Sequence, residues 1–131
     1  LRPGQEFEIL PELAAKTFST PHTPESLALR LTSSDGRVLV YTSDTGYSME
    51  LAEFAAGADL LVMECSFFKD KPVTTHLKLD EALQLARTAA PRKLLLTHLY
   101  GEWDNVDLVS EAKKLWPGET LEAQDGLRLQ L

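Results

Sequence analysis

The stretch Val38–Gly46, VLVYTSDTG, decides the fold of this chain. Its first four residues are apolar and rich in β-branched and aromatic side chains, and they stop abruptly at the polar segment Thr42–Gly46. This pattern predicts a buried strand that ends in a polar turn. In open α/β sheets, binding and catalytic residues collect beyond the carboxyl ends of the strands. Asp44 lies at such an end, so the sequence predicts a functional edge there.

Two later apolar runs also end in side chains that carry chemistry. Residues 60–63, LLVM, lead into Glu64, and residues 93–97, KLLLT, lead into His98. If these strands are parallel to the first, their ends lie along one edge of the sheet. An imidazole and a carboxylate at such an edge are the kinds of group that bind metal ions. Asp44 and His98 are therefore the candidate metal ligands.

The rest of the chain alternates between extended and helical patterns. Alternating leucines predict a strand over 26–32, and the turn at 33–36 returns the chain antiparallel. The predicted extended segments are 7–9, 15–19, 26–32, 37–41, 59–64, 93–97 and a closing hairpin of 120–123 and 127–131, and the predicted helices are 49–56, 79–90 and 106–115. This order predicts an α/β fold, with a mixed sheet that has an antiparallel edge and carries helices on one face.

The composition restricts the classes of function. The chain has 131 residues, 44% of them hydrophobic and 25% charged, which suits one globular domain. Its net charge of −7 comes without a cluster of Lys and Arg, so this segment alone offers no electrostatic footprint for a nucleic-acid backbone. No apolar run approaches the roughly 20 residues of a membrane span. The single cysteine, Cys65, rules out an internal disulfide and favours a reducing, cytoplasmic compartment.

Two other histidines and the residues around the second strand end are further candidates. His76 ends a long loop just before a predicted helix, where its imidazole is able to give a proton to a leaving group. His22 lies between two prolines in an extended linker, which indicates a structural role that includes a contact with the site edge. Nothing beside Cys65 in the sequence lowers the pKa of its thiol, which favours an inert buried side chain. Glu64 is able to anchor a histidine as a hydrogen-bond acceptor.

Four segments together resemble the second half of the metallo-β-lactamase-fold hydrolases, nearest to the ribonuclease Z-like branch. They are VYTSDTG at 40–46, ADLLVMECSF at 58–67, His76 ahead of a helix, and LLLTHL at 94–99. The resemblance implies a four-layer αββα sandwich that binds two divalent metal ions, usually zinc, with a bridging hydroxide as nucleophile. Asp44 matches the bridging aspartate, and His98 matches the last metal-binding histidine. His76 matches the catalytic histidine that assists the leaving group.

The family's His-x-His-x-Asp-His motif, and the histidine ligand that follows it, are not recognisable in this chain. Two strong ligands do not hold zinc tightly, because a catalytic zinc needs three protein ligands. The chain also begins at Leu1 and has methionine only at 49 and 63, which favours a fragment. We therefore expect residues 1–131 to be the C-terminal half of a metallo-β-lactamase-like domain. The complete protein would be a metal-dependent hydrolase of a phosphodiester, or of another ester or amide, and this half alone would be inactive.

The resemblance also implies a partner. In that family the sheet packs on a second sheet, while three helices shield only one side, so the other apolar side is expected to bind the complementary half or a second copy of the chain. One alternative is a degenerate, non-catalytic module of the same fold that serves binding or assembly. Another is a hydrolase that uses Cys65 as the nucleophile and a histidine as the base.

Overall fold

Seven short apolar segments form strands, and three amphipathic segments form α-helices, in the computed structural model, which describes residues 1–131. In chain order the elements are β1 (Glu6–Leu10), β2 (Leu13–Ser19), β3 (Leu27–Ser33), β4 (Val38–Tyr41), α1 (Met49–Phe54), β5 (Leu60–Glu64), α2 (Leu79–Ala89), β6 (Lys93–Thr97), α3 (Leu108–Leu115) and β7 (Glu119–Glu122). A single 3₁₀ turn, Gly101–Trp103, follows β6.

The strands form one sheet in the order β1 to β7, so each strand pairs with its neighbours in the chain. The pairs from β1 to β4 are antiparallel, and the pairs from β4 to β7 are parallel. Parallel neighbours need a crossover connection, and each of the three helices provides one. The predicted mixed sheet with an antiparallel edge is confirmed.

All three helices cover the same face of the sheet. Val40, Leu61 and Leu94, from the three adjacent strands β4 to β6, share one buried cluster with residues of α1, α2 and α3. Successive strand residues point to opposite faces, so the neighbours of these three residues lie on the other side. We call that side the open face, and its apolar residues are Leu29, Leu31, Leu39, Tyr41, Leu60, Val62, Leu95 and Leu121. Tyr41 there is 42% exposed, so helices on one face leave apolar side chains on the other.

The last predicted strand, 127–131, is wrong. β7 is the final strand, and it pairs in parallel with β6 instead of in a hairpin. The turn at Asp125–Gly126 leads into a tail without strand structure. The last residue of that tail, Leu131, lines a depression together with Leu31 and Leu39 of the open face. Of the three alternating leucines only Leu131 therefore lies against the sheet face, while Leu127 and Leu129 are exposed and none of them pairs at the sheet edge.

All three helices are shorter than the sequence pattern predicts, α2 by one residue and α1 and α3 by two. Helix α1 is capped by the Ser48 side chain as expected, but it ends at Phe54 and not at 56. The Arg30 guanidinium donates to the backbone carbonyls of Phe54 and Ala56, which therefore do not need hydrogen bonds from a further helical turn. Helix α3 begins at residue 108 and not at 106, because the Asp107 side chain accepts the N–H of Ser110 and caps the first turn. None of the helices has the length and apolar character needed to cross a membrane.

Candidate metal centre

Three adjacent parallel strands end at the same edge, and each supplies a polar side chain there. Asp44 follows β4, Glu64 is the last residue of β5, and His98 follows β6. The backbones of Ser43 and His98 both have a φ of 56°. A residue with a side chain adopts this left-handed conformation at a cost of about 1–2 kcal/mol. Such strain is common where the surrounding structure holds functional side chains in place.

The two predicted metal ligands meet at this edge. His98 Nε2 lies 3.4 Å from Asp44 Oδ1, and each of the two side chains is about one-third exposed. The imidazole of His76 stacks on that of His98, with ring centroids 5.3 Å apart and an interplanar angle of 19°. The structure therefore brings together Asp44, His76 and His98, as the strand-end pattern predicts.

A buried carboxylate, Glu64, lies behind the histidines. It is 1% exposed and accepts hydrogen bonds from the backbone N–H groups of Thr45 (2.8 Å), Ser66 (3.3 Å) and Leu77 (3.1 Å). The Ser66 hydroxyl donates to its Oε2 at 2.8 Å, and His76 Nδ1 lies 2.8 Å from its Oε1. A buried charge is tolerated only when it is satisfied in this way. Glu64 thus anchors His76, as the sequence indicated.

His22 also lies at the site, in keeping with the expected contact with the site edge, although the sequence did not indicate it as a metal ligand. Its ring centroid is 4.9 Å from that of His76, and ligand atoms of His22, Asp44 and His76 all lie within 4.8 Å of one another. The Gly46 N–H donates to the Pro21 carbonyl at 3.0 Å, which ties the segment before His22 to the loop after β4. The expectation of two strong ligands therefore undercounts the donors of this chain.

Two further residues lie at the site that were not predicted from the sequence, Ser66 and Tyr100. Ser66 Oγ lies 3.0 Å from His98 Nδ1. The Tyr100 hydroxyl lies 3.5 Å from His76 Nε2, and its ring centroid is 5.2 Å from that of His98. Each of the two residues comes two positions after a candidate residue, Glu64 or His98, so an extension of the strand-end rule by two positions would have found both.

The Cys65 thiol is not equipped for nucleophilic attack. The side chain is fully buried, and its sulfur lies 3.9 Å from the backbone carbonyl oxygen of Phe67. Burial, together with the nearby charge of Glu64, raises the pKa of the Cys65 thiol far above its usual value. Because the thiolate and not the thiol is the nucleophile, the geometry gives no support to a cysteine hydrolase.

The donor set at this edge fits a divalent metal ion. Two groups of potential ligands are close enough to share one: His22 with Asp44 and His76, and Glu64 with His76 and His98. The Glu64 oxygens already accept several hydrogen bonds, which leaves Asp44 as the available carboxylate. When the imidazole of His98 is neutral with its lone pair on Nε2, two lone pairs face each other across 3.4 Å. Such an arrangement calls for a positive charge between them, and a metal ion supplies it.

Comparison with known proteins identifies relatives of this chain. Residues 1–99 match the family described as the β-lactamase superfamily domain. The probable metallo-hydrolase YhfI of Bacillus subtilis is 39% identical over 113 residues, which are 83% of this chain and 45% of that protein. An uncharacterized protein of Mycobacterium leprae is 40% identical over 112 residues (84% of this chain, 37% of that protein), and the ribonuclease Z of Haloferax volcanii is 34% identical over 102 residues (73% and 32%).

The fold comparison agrees with the sequence comparison. The crystal structure of YhfI, described as a metallo-β-lactamase-fold protein, superposes with a TM-score of 0.84 and 34% identity. The superposition covers 97% of this chain and 53% of the YhfI chain. The chain thus spans less than half the length of the curated relatives that it matches.

Proposed function

Because the chain belongs to the β-lactamase superfamily, whose domain it matches over residues 1–99, we propose that it carries part of the catalytic site of a metal-dependent hydrolase. One observation carries the proposal: Asp44 Oδ1 lies 3.4 Å from His98 Nε2, with the His76 ring stacked on His98. A carboxylate and two imidazoles at one sheet edge suit metal binding combined with proton transfer. In this proposal residues 1–131 form the C-terminal half of the domain, and activity requires the other half.

The proposed cofactors are two divalent metal ions, with zinc as the metal. Asp44 and His98 are the proposed ligands, with Asp44 shared between the two ions, and His22 lies close enough to Asp44 to join them. Imidazole and carboxylate groups are ligands that zinc accepts. Bound at this edge, such ions supply a Lewis acid and a water that is activated for attack at neutral pH.

His76 is the proposed catalytic residue for the leaving group. Its Nδ1 is held by Glu64 Oε1 at 2.8 Å, so the ring is fixed and its Nε2 is the atom that takes up a proton and passes it to the leaving group. The side chain is 11% exposed and is enclosed by the rings of His22, His98 and Tyr100, so a bound group next to it is partly shielded from water. This placement suits a residue that protonates a departing oxygen.

A phosphodiester is the proposed substrate class, and another ester or amide is the alternative. His76 favours the phosphodiester, because an alkoxide leaving group gains from a proton donor, and the similarity to the ribonuclease Z of Haloferax volcanii supports it. The net charge of −7 favours a small diester over a long nucleic acid bound by this segment alone. We also propose a cytoplasmic location, since the only cysteine is a free, buried thiol.

Zinc binding by the purified chain tests the proposal. We expect weak uptake in calorimetry with zinc chloride, with shifts of the His98 imidazole signals in NMR spectra, and loss of both effects in Asp44→Ala and His98→Ala. Asp35→Ala, which removes an exposed carboxylate in the β3–β4 turn, is the matched control and should bind zinc like the parent chain. Zinc-induced shifts that survive both site variants would contradict the proposed ligands. Tight stoichiometric uptake would contradict the half-site, and no uptake at all would favour the non-catalytic module.

The open face is the proposed binding surface for the complementary half, or for a second copy of the chain. Its residues Tyr41, Val62 and Leu95 are adjacent in register and are not covered by any helix. At about 25 cal/mol per Å², covering roughly 400 Å² of apolar surface is worth about 10 kcal/mol, so association is favoured over a free monomer. The tail that ends at Leu131 covers only one side of this face, near Leu39.

Sedimentation of the isolated chain at micromolar concentration tests this surface. We expect self-association that Val62→Lys and Leu95→Lys each weaken, because a lysine in the middle of the face must be desolvated when the face is covered. Val73→Lys, at an exposed loop residue outside the face, is the matched control and should leave the association unchanged. A parent chain that remains a folded monomer would contradict the proposal.

A further inference from the structure

The hydroxyl of Ser66 lies between the buried carboxylate and one of the proposed metal ligands. Ser66 is fully buried, and its Oγ is 2.8 Å from Glu64 Oε2 and 3.0 Å from His98 Nδ1. A carboxylate only accepts hydrogen bonds, so the single hydroxyl proton of Ser66 is given to Glu64. Ser66 Oγ also lies 3.4 Å from His76 Nδ1, but that nitrogen is closer to Glu64 Oε1, at 2.8 Å. The Ser66 oxygen therefore accepts from His98, which places a proton on Nδ1 of His98 and leaves the lone pair of its Nε2 free.

The Glu64 carboxylate fixes the tautomer of His76 directly, without a residue between them. His76 Nδ1 lies 2.8 Å from Glu64 Oε1, so it too carries a proton and its Nε2 is free. The two stacked rings therefore present the same nitrogen outward, and His98 Nε2 faces Asp44 Oδ1. One buried charge thus fixes two tautomers, one directly and one through a serine.

We propose that Ser66 is a positioning residue, which relays the hydrogen bond of Glu64 to His98 and keeps the lone pair of His98 Nε2 aimed at the metal site. Without the serine oxygen, Nδ1 of His98 has no acceptor, and its proton is drawn to Nε2, where the Asp44 carboxylate accepts it. That N–H blocks the ligand atom. The relay itself is a property of this chain, and its role in metal binding rests on the proposed function.

Imidazole ¹⁵N spectra of the histidine-labelled chain, recorded at a pH where the rings are neutral, test the relay directly. We expect the pattern of a proton on Nδ1 for both His98 and His76 in the parent chain. In Ser66→Ala, His98 should change to the pattern of a proton on Nε2, while His76 should not change. Ser66→Thr keeps a hydroxyl and should keep the parent pattern at His98, a rescue that a loss of packing alone does not give.

The matched control is Thr120→Val, which removes another buried hydroxyl, one that has no hydrogen-bond partner. It should leave the spectra of His76 and His98 as they are. Calorimetry with zinc chloride then measures the consequence: we expect Ser66→Ala to weaken zinc binding about tenfold or more, and Thr120→Val to leave it unchanged. His98 retaining its parent pattern in Ser66→Ala would overturn the relay. A changed His98 pattern in Ser66→Ala supports the relay even if neither the parent chain nor any variant binds zinc. That absence of zinc binding would count against the proposed function alone.

Discussion

Gly46 is the point where the loop after β4 touches both histidine-bearing loops, and a methyl group there should push them apart. A Cβ built on Gly46 lies 2.3 Å from the carbonyl oxygen of Thr74 and 3.0 Å from that of Pro21. Thr74 comes two residues before His76, and Pro21 comes directly before His22. Since an ordinary non-bonded contact is about 3.5 Å, the loop at Thr74 has to retreat by about 1 Å.

The expected cost follows from this overlap. Overpacking of a fitted contact typically costs about 1–3 kcal/mol, and the hydrogen bond from Gly46 N–H to the Pro21 carbonyl, 3.0 Å long, is stretched in addition. For a chain of this size that corresponds to a fall of roughly 4–12 °C in Tm. We expect the Gly46→Ala chain to show this loss in thermal unfolding, together with shifted imidazole signals of His22 and His76 in NMR spectra.

Gly101→Ala is the control for this variant. A Cβ at Gly101 meets nothing closer than 3.9 Å, at Asp104 Oδ2, so the exchange should change stability by no more than about 0.5 kcal/mol. If Gly46→Ala unfolds at the same temperature as Gly101→Ala and its histidine signals stay in place, the two loops do not close on Gly46. Gly46 would then not be the contact that holds the two histidine-bearing loops at the site.

Three other predictions concern buried or perturbed groups. Glu64→Gln should lower the free energy of unfolding by about 3 kcal/mol, because an amide cannot accept all the hydrogen bonds that the buried carboxylate accepts; unchanged urea unfolding would contradict the network. The hydrogen bond from Val38 N–H, with Arg92 nearby, lowers the pKa of the Asp59 carboxyl from its ordinary 3.8, so its stabilisation is present above that value and is lost as the pH falls through the lower pKa of the folded state. Asp59→Asn should therefore flatten the loss of stability below about pH 4, and an unchanged pH profile would count against this bond. Cys65 should resist iodoacetamide at neutral pH in the folded chain and react once the chain is unfolded in urea, whereas rapid labelling of the folded chain would revive the nucleophile hypothesis.

The convergence of Asp44 and His98 was predictable because it depends only on local patterns and one topological rule. Continuous apolar runs mark buried strands, and parallel strands end at the same edge. His22 was not predictable in this way, because a hydrogen bond between positions 21 and 46, far apart in the chain, brings it to the site. Ser66 was missed because the strand-end rule was applied only to the first polar residue after the strand, whereas the contact of Ser66 with His98 depends on the neighbouring strand β6.

The tail at 127–131 shows a second kind of limit on prediction from sequence. Alternating leucines are compatible with a strand that pairs at a sheet edge. They are equally compatible with an unpaired segment that lies across a sheet with one side facing it. The choice depends on which apolar surface remains uncovered after the other elements have packed, and here it is the face around Leu39. A pattern within one segment carries no information about that surface.

The strand order β1 to β7 has a consequence for how the molecule is made. Because every strand pairs only with its neighbours in the chain, no ladder has to wait for a distant segment, and ordering is able to advance from one end as the polypeptide leaves the ribosome. His22, Asp44, His76 and His98 all precede residue 100, whereas α3 and β7 come after it. The candidate metal edge therefore lies in the part of the chain that is made first, and α3 and β7 join the helical layer and the sheet only after it.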